Sequence, residues 1–174
     1  MNISGVILAA GQGTRMKSSL PKVLHNVLGS PMINYAQEAI SDLKNKYVVV
    51  GHQYETVTLN LFESFIPILQ EEQLGTGHAI SILIESGEYK NDENEYLVVI
   101  PGDVPLIKKE DLKKLIDDVV QGKAVIGIIT AFVDNPHGYG RIVKNNDEFE
   151  KIVEETDASE IEKQINEINS GIYC

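Results

Sequence analysis

The sequence predicts an α/β domain with a mostly parallel sheet, flanking helices and a late β-hairpin. Three observations carry that expectation. Short runs rich in Val and Ile alternate with stretches of helical apolar spacing from residue 3 to residue 132. The first of these runs closes on Gly11-Gln12-Gly13, the kind of turn that follows a buried strand, and beyond residue 132 the alternation gives way to two extended segments around a polar turn.

The elements follow in order. A strand over 3–10 is apolar throughout its second half. Ser30-Pro31 reads as an N-cap and a first-turn proline, opening a helix with Ile33, Ala36, Ile40 and Leu43 on one face. Residues 47–50 form a second strand closed by Gly51, residues 55–62 a helix, and 66–69 a short third strand. A helix over 77–85 precedes a fourth strand at 96–100. Leu112, Leu115, Ile116 and Val119 mark an amphipathic helix over 109–120, and 124–132 reads as a buried strand. Residues 141–143 and 149–153 are the arms of the hairpin, turned at Asn145-Asn146-Asp147. A helical, acidic stretch over 158–165 leads to Asn169-Ser170-Gly171, and Ile172-Tyr173 begins another strand as the sequence ends. The repeated β-α order is Rossmann-like, with right-handed crossovers and a ligand site expected at the carboxyl ends of the strands. The last apolar element stops within two residues of Cys174, so the expected domain over 1–174 is truncated at its C-terminus.

Composition narrows the function. The chain has 174 residues, 43% of them apolar, and suits one globular domain burying roughly 70% of its unfolded surface. Its runs are too short for a membrane span, and no basic segment leads an apolar stretch at the N-terminus. Cys174 is the single cysteine, which excludes an intrachain disulfide and a cysteine-based zinc site, and a cytoplasmic setting is expected. A net charge of −11 argues against a nucleic-acid track but leaves room for one phosphorylated ligand in a locally positive pocket. Arg15 and Arg141 are the two arginines, so their positions are informative.

Leu8-Ala9-Ala10-Gly11-Gln12-Gly13-Thr14-Arg15-Met16, followed by Pro21-Lys22, places glycines, a hydroxyl and two cations just past the first strand. Glycine lets successive N–H groups face phosphate oxygens while Arg15 and Lys22 neutralise them. The string lacks the Lys-Ser/Thr of a Walker loop, and Met16 stands where a dinucleotide fingerprint has its third glycine. Further along, Gln70, Gln73, Gly75 and Thr76 join a strand to a helix, where amide side chains match the edge of a pyrimidine. Gly102-Asp103 follows the fourth strand, and its hard carboxylate suits Mg²⁺. By themselves these segments are also ordinary turns. His25 and His78 read as packing or polar structural residues, since no two histidines have metal spacing.

The extended string resembles the signature loop of sugar-1-phosphate nucleotidyltransferases, and its continuation through Lys22-Val23-Leu24-His25 resembles the N-acetylglucosamine-1-phosphate uridylyltransferase branch. The likeness runs from about Ile3 to Tyr173, with five strings in order. It implies the nucleotide-diphospho-sugar transferase fold and the joining of UTP and N-acetylglucosamine 1-phosphate into UDP-N-acetylglucosamine and pyrophosphate. Under it, Arg15 and Lys22 are catalytic and Asp103 holds Mg²⁺. Leu8, Ala9, Ala10, Gly11, Gly13, Thr14, Gln70, Gln73, Gly75, Thr76 and Gly102 bind the nucleotide. Gly140, Glu154 and Asn169 bind the sugar. The chain departs from the family at Pro101, where an aromatic residue, commonly Tyr, is usual; only a backbone contact carries over there. The family's second metal ligand, an Asn downstream of Asn169, and its left-handed β-helix acetyltransferase domain are not encoded, so no oligomer through that domain is expected. Two other readings stand beside this one: a nucleotide-sugar-binding fragment without turnover, and a related nucleotidyltransferase for another sugar or base.

Overall fold

A computed structural model describes residues 2–11, 13, 16–51, 53–90, 93 and 95–174. Its parallel half is built from β1 (Ile3–Ala9), β4 (Asn45–Val50), β5 (Ile66–Leu69) and β6 (Tyr96–Pro101), in the order β5-β4-β1-β6. Val6 of β1 sits between Tyr47 of β4 and Val99 of β6 in register. Alternation along β1 sends Val6 and Ile7 to opposite faces, and each face has its own core. On one, Ile7, Val48 and Ile100 pack with Ile33 and Ala36 of α1 (Met32–Ala39) and with Leu112 and Leu115 of α5 (Lys109–Gly122). On the other, Val6, Tyr47, Val49 and Val99 pack with Ala79 and Leu83 of α3 (Thr76–Glu85). Burial on both faces is why Val48-Val49-Val50 reads as a continuous apolar run.

The antiparallel half continues from β6. Strand β10 (Glu167–Tyr173) pairs with β6 and with β8 (Arg141–Asn145), which forms the hairpin with β9 (Glu148–Val153). Asn146 and Asp147 both take positive φ, 50° and 65°, the geometry of a two-residue hairpin turn. Strand β7 (Ile128–Phe132) lies against β10. The connection from β1 runs first to β4 on one side and later to β6 on the other, so the carboxyl ends of β1 and β6 flank the point where the winding reverses.

Several elements differ from the sequence expectation, each for a physical reason. Ser30 does not cap α1: Leu28 and Gly29, both at positive φ, fold β3 (Ser30–Pro31) onto β2 (Asn26–Val27), and Pro31 takes the cap position. The helix also stops at Ala39, although Leu43 still packs on the core. The helix expected at 55–62 is only α2 (Tyr54–Thr58), because the buried Gln37 side chain donates to Asn60 O at 3.2 Å and accepts the Phe62 N–H at 2.6 Å, holding that chain as a turn. A short α4 (Gly87–Lys90) is added where Ser86 Oγ accepts the Tyr89 N–H at 3.2 Å. The acidic stretch at 158–165 is not an α-helix. The Glu162 carboxylate accepts from Ser159 N and Oγ at 2.8 and 2.7 Å, and this closes a tight turn ending in a 3₁₀ segment at Glu162–Gln164.

The strand expected over 124–132 starts only at Ile128 and is half-exposed. Lys123 ends α5 in the left-handed region, Val125 and Ile126 face solvent, and Gly127 brings the chain back by exchanging both backbone hydrogen bonds with Cys174. A Cβ on Gly127 would overlap Val119 Cγ2 and come within 2.9 Å of Leu115 Cδ1. Gly127→Ala is therefore expected to destabilise the fold by about 1–3 kcal/mol through overpacking, read as a lower midpoint in thermal unfolding.

Candidate functional site

The carboxyl ends of β1, β5 and β6, with residues 169–171 of the antiparallel β10, open onto a trough made of three adjoining cavities of about 380, 380 and 410 Å³. The middle cavity is lined by Leu8, Ala9, Gly11, Gly13, Lys22 and Asp103. Toward α3 it shares Leu8 and Gly11 with a cavity that holds Ala10, Gln70, Gln73, Gly75 and Thr76. Toward the hairpin it shares Lys22 and Asp103 with a third, which holds Gly140, Glu154 and Asn169. Pro101 and Gly171 stand between the two outer cavities. Most site positions expected from separate stretches of sequence thus line one surface, with an amide-rich part, a cationic part and a carboxylate-and-amide part that adjoin pairwise. Thr14 and Arg15, with Gln12 beside them, lie outside the described residues. Gly102 lines none of the three cavities. It is buried beneath them, and its N–H already donates to Leu8 O at 2.9 Å, tying the end of β6 to β1.

Local structure aims each group. Lys22 opens a 3₁₀ turn whose Val23 and Leu24 are buried, and it packs against Gly13, so its stem is held while its ammonium reaches Asp103 as an ion pair. Asp103 follows directly on β6, with its side chain 28% exposed to the trough. Gln70, at the end of β5, is 2% exposed, and its Nε2 lies 2.9 Å from His78 Nδ1, which fixes the amide. His78, expected as a packing or polar structural residue, is here the hydrogen-bond partner of Gln70. Gln73 lies over Gly51, with its Nε2 2.7 Å from where a Cβ there would be. Gly75, at φ 100°, starts α3.

At the far end Asn169 is fixed from three directions. Its backbone N–H donates to Gly140 O at 2.8 Å, its Nδ2 donates to the Tyr173 hydroxyl at 2.6 Å, and its Oδ1 accepts the Gly171 N–H at 3.0 Å. That leaves one amide hydrogen and one lone pair for a ligand. Asn169 lies within β10, where the register shifts between Asn169 and Ile172. Gly140 is buried against Glu154: a Cβ on it would stand 3.0 Å from Glu154 Oε1.

Two groups of the strings expected on the sugar side, neither with a role of its own in the sequence reading, support this end. Arg141 is 1% exposed and its guanidinium donates to Tyr139 O and, at 2.6 Å, to Glu155 Oε2. The Gly138 N–H and the Arg141 guanidinium hold the Glu155 carboxyl down to about 2. Scarcity was the available signal, since an arginine next to Gly138-Tyr139-Gly140 is one of only two in the chain.

A divalent cation fits the middle cavity by its chemistry. Asp103 offers a hard oxygen ligand already facing a cation, and phosphate oxygens with water supply the remaining positions that Mg²⁺ prefers. Among the described residues no cluster of three or more His, Cys, Asp or Glu forms an all-protein metal cage. Also among them, no helix is long and apolar enough to cross a membrane.

A twisted sheet with a trough over its winding reversal, split into amide, cation and carboxylate subsites, is the architecture of a nucleotidyltransferase. The chain belongs to the MobA-like NTP transferase domain family, whose model matches residues 5–162. It is 47% identical to the bifunctional protein GlmU of Clostridioides difficile (strain 630) over 177 residues, covering 100% of this chain and 38% of that protein. It is 50% identical to the bifunctional protein GlmU of Streptococcus sanguinis (strain SK36) over 171 residues, covering 97% of this chain and 37% of that one. The chain therefore spans well under half the length of these relatives. In fold it is similar to the crystal structure of UDP-glucose pyrophosphorylase complexed with UDP-glucose, with a TM-score of 0.74 at 19% identity over 99% of this chain and 75% of that one.

Proposed function

We propose that the trough joins UTP and N-acetylglucosamine 1-phosphate into UDP-N-acetylglucosamine, with release of pyrophosphate and dependence on Mg²⁺. The observation that supports this reading is that three adjoining cavities separate the amides of Gln70 and Gln73, the Lys22–Asp103 pair, and Glu154 with Asn169. A nucleotide sugar has a base, phosphates and a sugar, one for each. The identity with bifunctional GlmU proteins supports the choice of substrates.

In this reading the uracil edge meets Gln70 and Gln73, and Gly75 lets the backbone approach the ring. The phosphates lie over Gly11 and Gly13, with Lys22 supplying positive charge. Glu154 accepts from sugar hydroxyls while Asn169 donates one hydrogen and accepts another. A phosphate oxygen of the sugar phosphate attacks the α-phosphorus of UTP, the bond to the β-phosphate bridging oxygen breaks, and pyrophosphate leaves. The nucleophile is already an anion, so no general base is required and the work is alignment and charge stabilisation. Mg²⁺ held through Asp103 would screen the two anions and stabilise charge on the transferring phosphoryl group. Lys22, paired with Asp103 in the ligand-free protein, would turn to the phosphates as they arrive.

The test is pyrophosphate release from UTP and N-acetylglucosamine 1-phosphate, with and without Mg²⁺, against CTP, GTP and glucose 1-phosphate. Release that needs the metal and prefers the uridine and N-acetyl substrates is expected. Faster release with another nucleotide or sugar would replace the substrate assignment, and metal-independent release would remove the role of Asp103.

A further inference from the structure

Glu155 and Arg141 line none of the three cavities, yet they hold the wall of the one at the hairpin end. Among the described residues Arg141 is the largest fully buried side chain. Its guanidinium donates to Tyr139 O, to Glu155 Oε2 at 2.6 Å and to Lys163 O at 3.4 Å. The same Glu155 Oε2 accepts the Gly138 N–H at 2.9 Å, and Oε1 lies 3.2 Å from His137 Nδ1. One ion pair therefore fixes the amide of residue 138 and the carbonyl of residue 139, on consecutive residues of a loop whose Gly138 sits at φ 85°. Gly138, Tyr139 and Gly140 all line the cavity, and Gly140 seats the Glu154 carboxylate and accepts the Asn169 N–H.

A loop with two glycines in three residues is costly to order at the moment of binding, because glycine has the most conformational freedom to lose. Burying a charged pair is not itself a gain in stability, since desolvation offsets the attraction. Here the pair gives two of its hydrogen bonds to the loop backbone, at Tyr139 O and the Gly138 N–H. Resting on the reading that this cavity takes the sugar, we propose that Arg141 and Glu155 are positioning residues for the sugar subsite. They hold residues 138–140, and through them Glu154 and Asn169, in the conformation that receives the sugar hydroxyls, so that the ordering precedes binding. The amides of the uridine end, Gln70 and Gln73, stand on β5 and the loop before α3, elements that make no contact with the pair.

Calorimetric titration with UDP and with UDP-N-acetylglucosamine, both with Mg²⁺, separates the two ends, since the ratio of the two dissociation constants is the sugar's own contribution. Glu155→Ala is expected to shrink that ratio by about tenfold while the UDP constant stays within about twofold. Glu155→Gln, which keeps an acceptor for Gly138 N–H and Arg141, is expected to restore most of it. A ratio unchanged in Glu155→Ala, or both ligands weakened by the same factor, would overturn the positioning role. If Glu155→Ala does not unfold cooperatively, Arg141→Lys decides by the same ratio, because a lysine keeps the charge but cannot reach three separate acceptors. Wild-type protein that binds both ligands equally would instead overturn the sugar assignment of the cavity, and the positioning role with it.

Discussion

Asp103→Ala is expected to lower Mg²⁺-dependent pyrophosphate release by about 10²–10³-fold, the usual loss when a preorganised electrostatic group at a reacting phosphate is removed. The variant takes away the one carboxylate that lines the middle cavity among the described residues and frees Lys22 from its partner. Nucleotide binding without metal should hold or tighten slightly, because the released ammonium then faces only phosphate. Initial rates over a Mg²⁺ titration, with UTP affinity measured in parallel, check both halves. A metal-dependent rate close to that of the wild type would mean the cation is held elsewhere.

Lys22→Ala should act in the opposite sense on the nucleotide, weakening UTP binding by about 10- to 100-fold, as expected for loss of a charge-assisted hydrogen bond worth about 1.5–3 kcal/mol. Lys22 is 43% exposed in its ion pair, so thermal stability should change by less than about 1 kcal/mol. Titration calorimetry at two salt concentrations provides the check, since part of the lost affinity is screened by salt. An unchanged UTP affinity would remove Lys22 from the phosphate site.

The parallel half of the fold was legible because its strands are buried on both faces. Val48-Val49-Val50 and Val98-Val99-Ile100 can hardly be read otherwise, and the limits of β5 coincide with the expected ones. What was not legible depended on partners distant in sequence or on side chains competing for the backbone. Gln37 ends a helix 25 residues away by binding Phe62 N. Ser159 and Glu162 turn an acidic, helix-like stretch into a tight loop. The site divides in the same way. Positions just past strand ends, such as Gly11, Gln70 and Asp103, were readable because strand ends point into the trough in this topology. Their supports were not. Tyr173 orients Asn169 from four residues on, and Glu155 stands next to the more obvious Glu154 with nothing in its local sequence to show that it faces Arg141.

Thermal unfolding with UDP-N-acetylglucosamine, CDP-sugars and GDP-sugars in Mg²⁺ asks whether the trough takes a uridine diphosphate sugar. At a ligand concentration about 100-fold above its dissociation constant, a native-state ligand adds about 2.7 kcal/mol, a rise of roughly 5–10 °C for a domain of this size. The account predicts that rise for the uridine sugar alone. A cooperative transition that no nucleotide sugar moves, or that CDP- or GDP-sugars move equally, would contradict it.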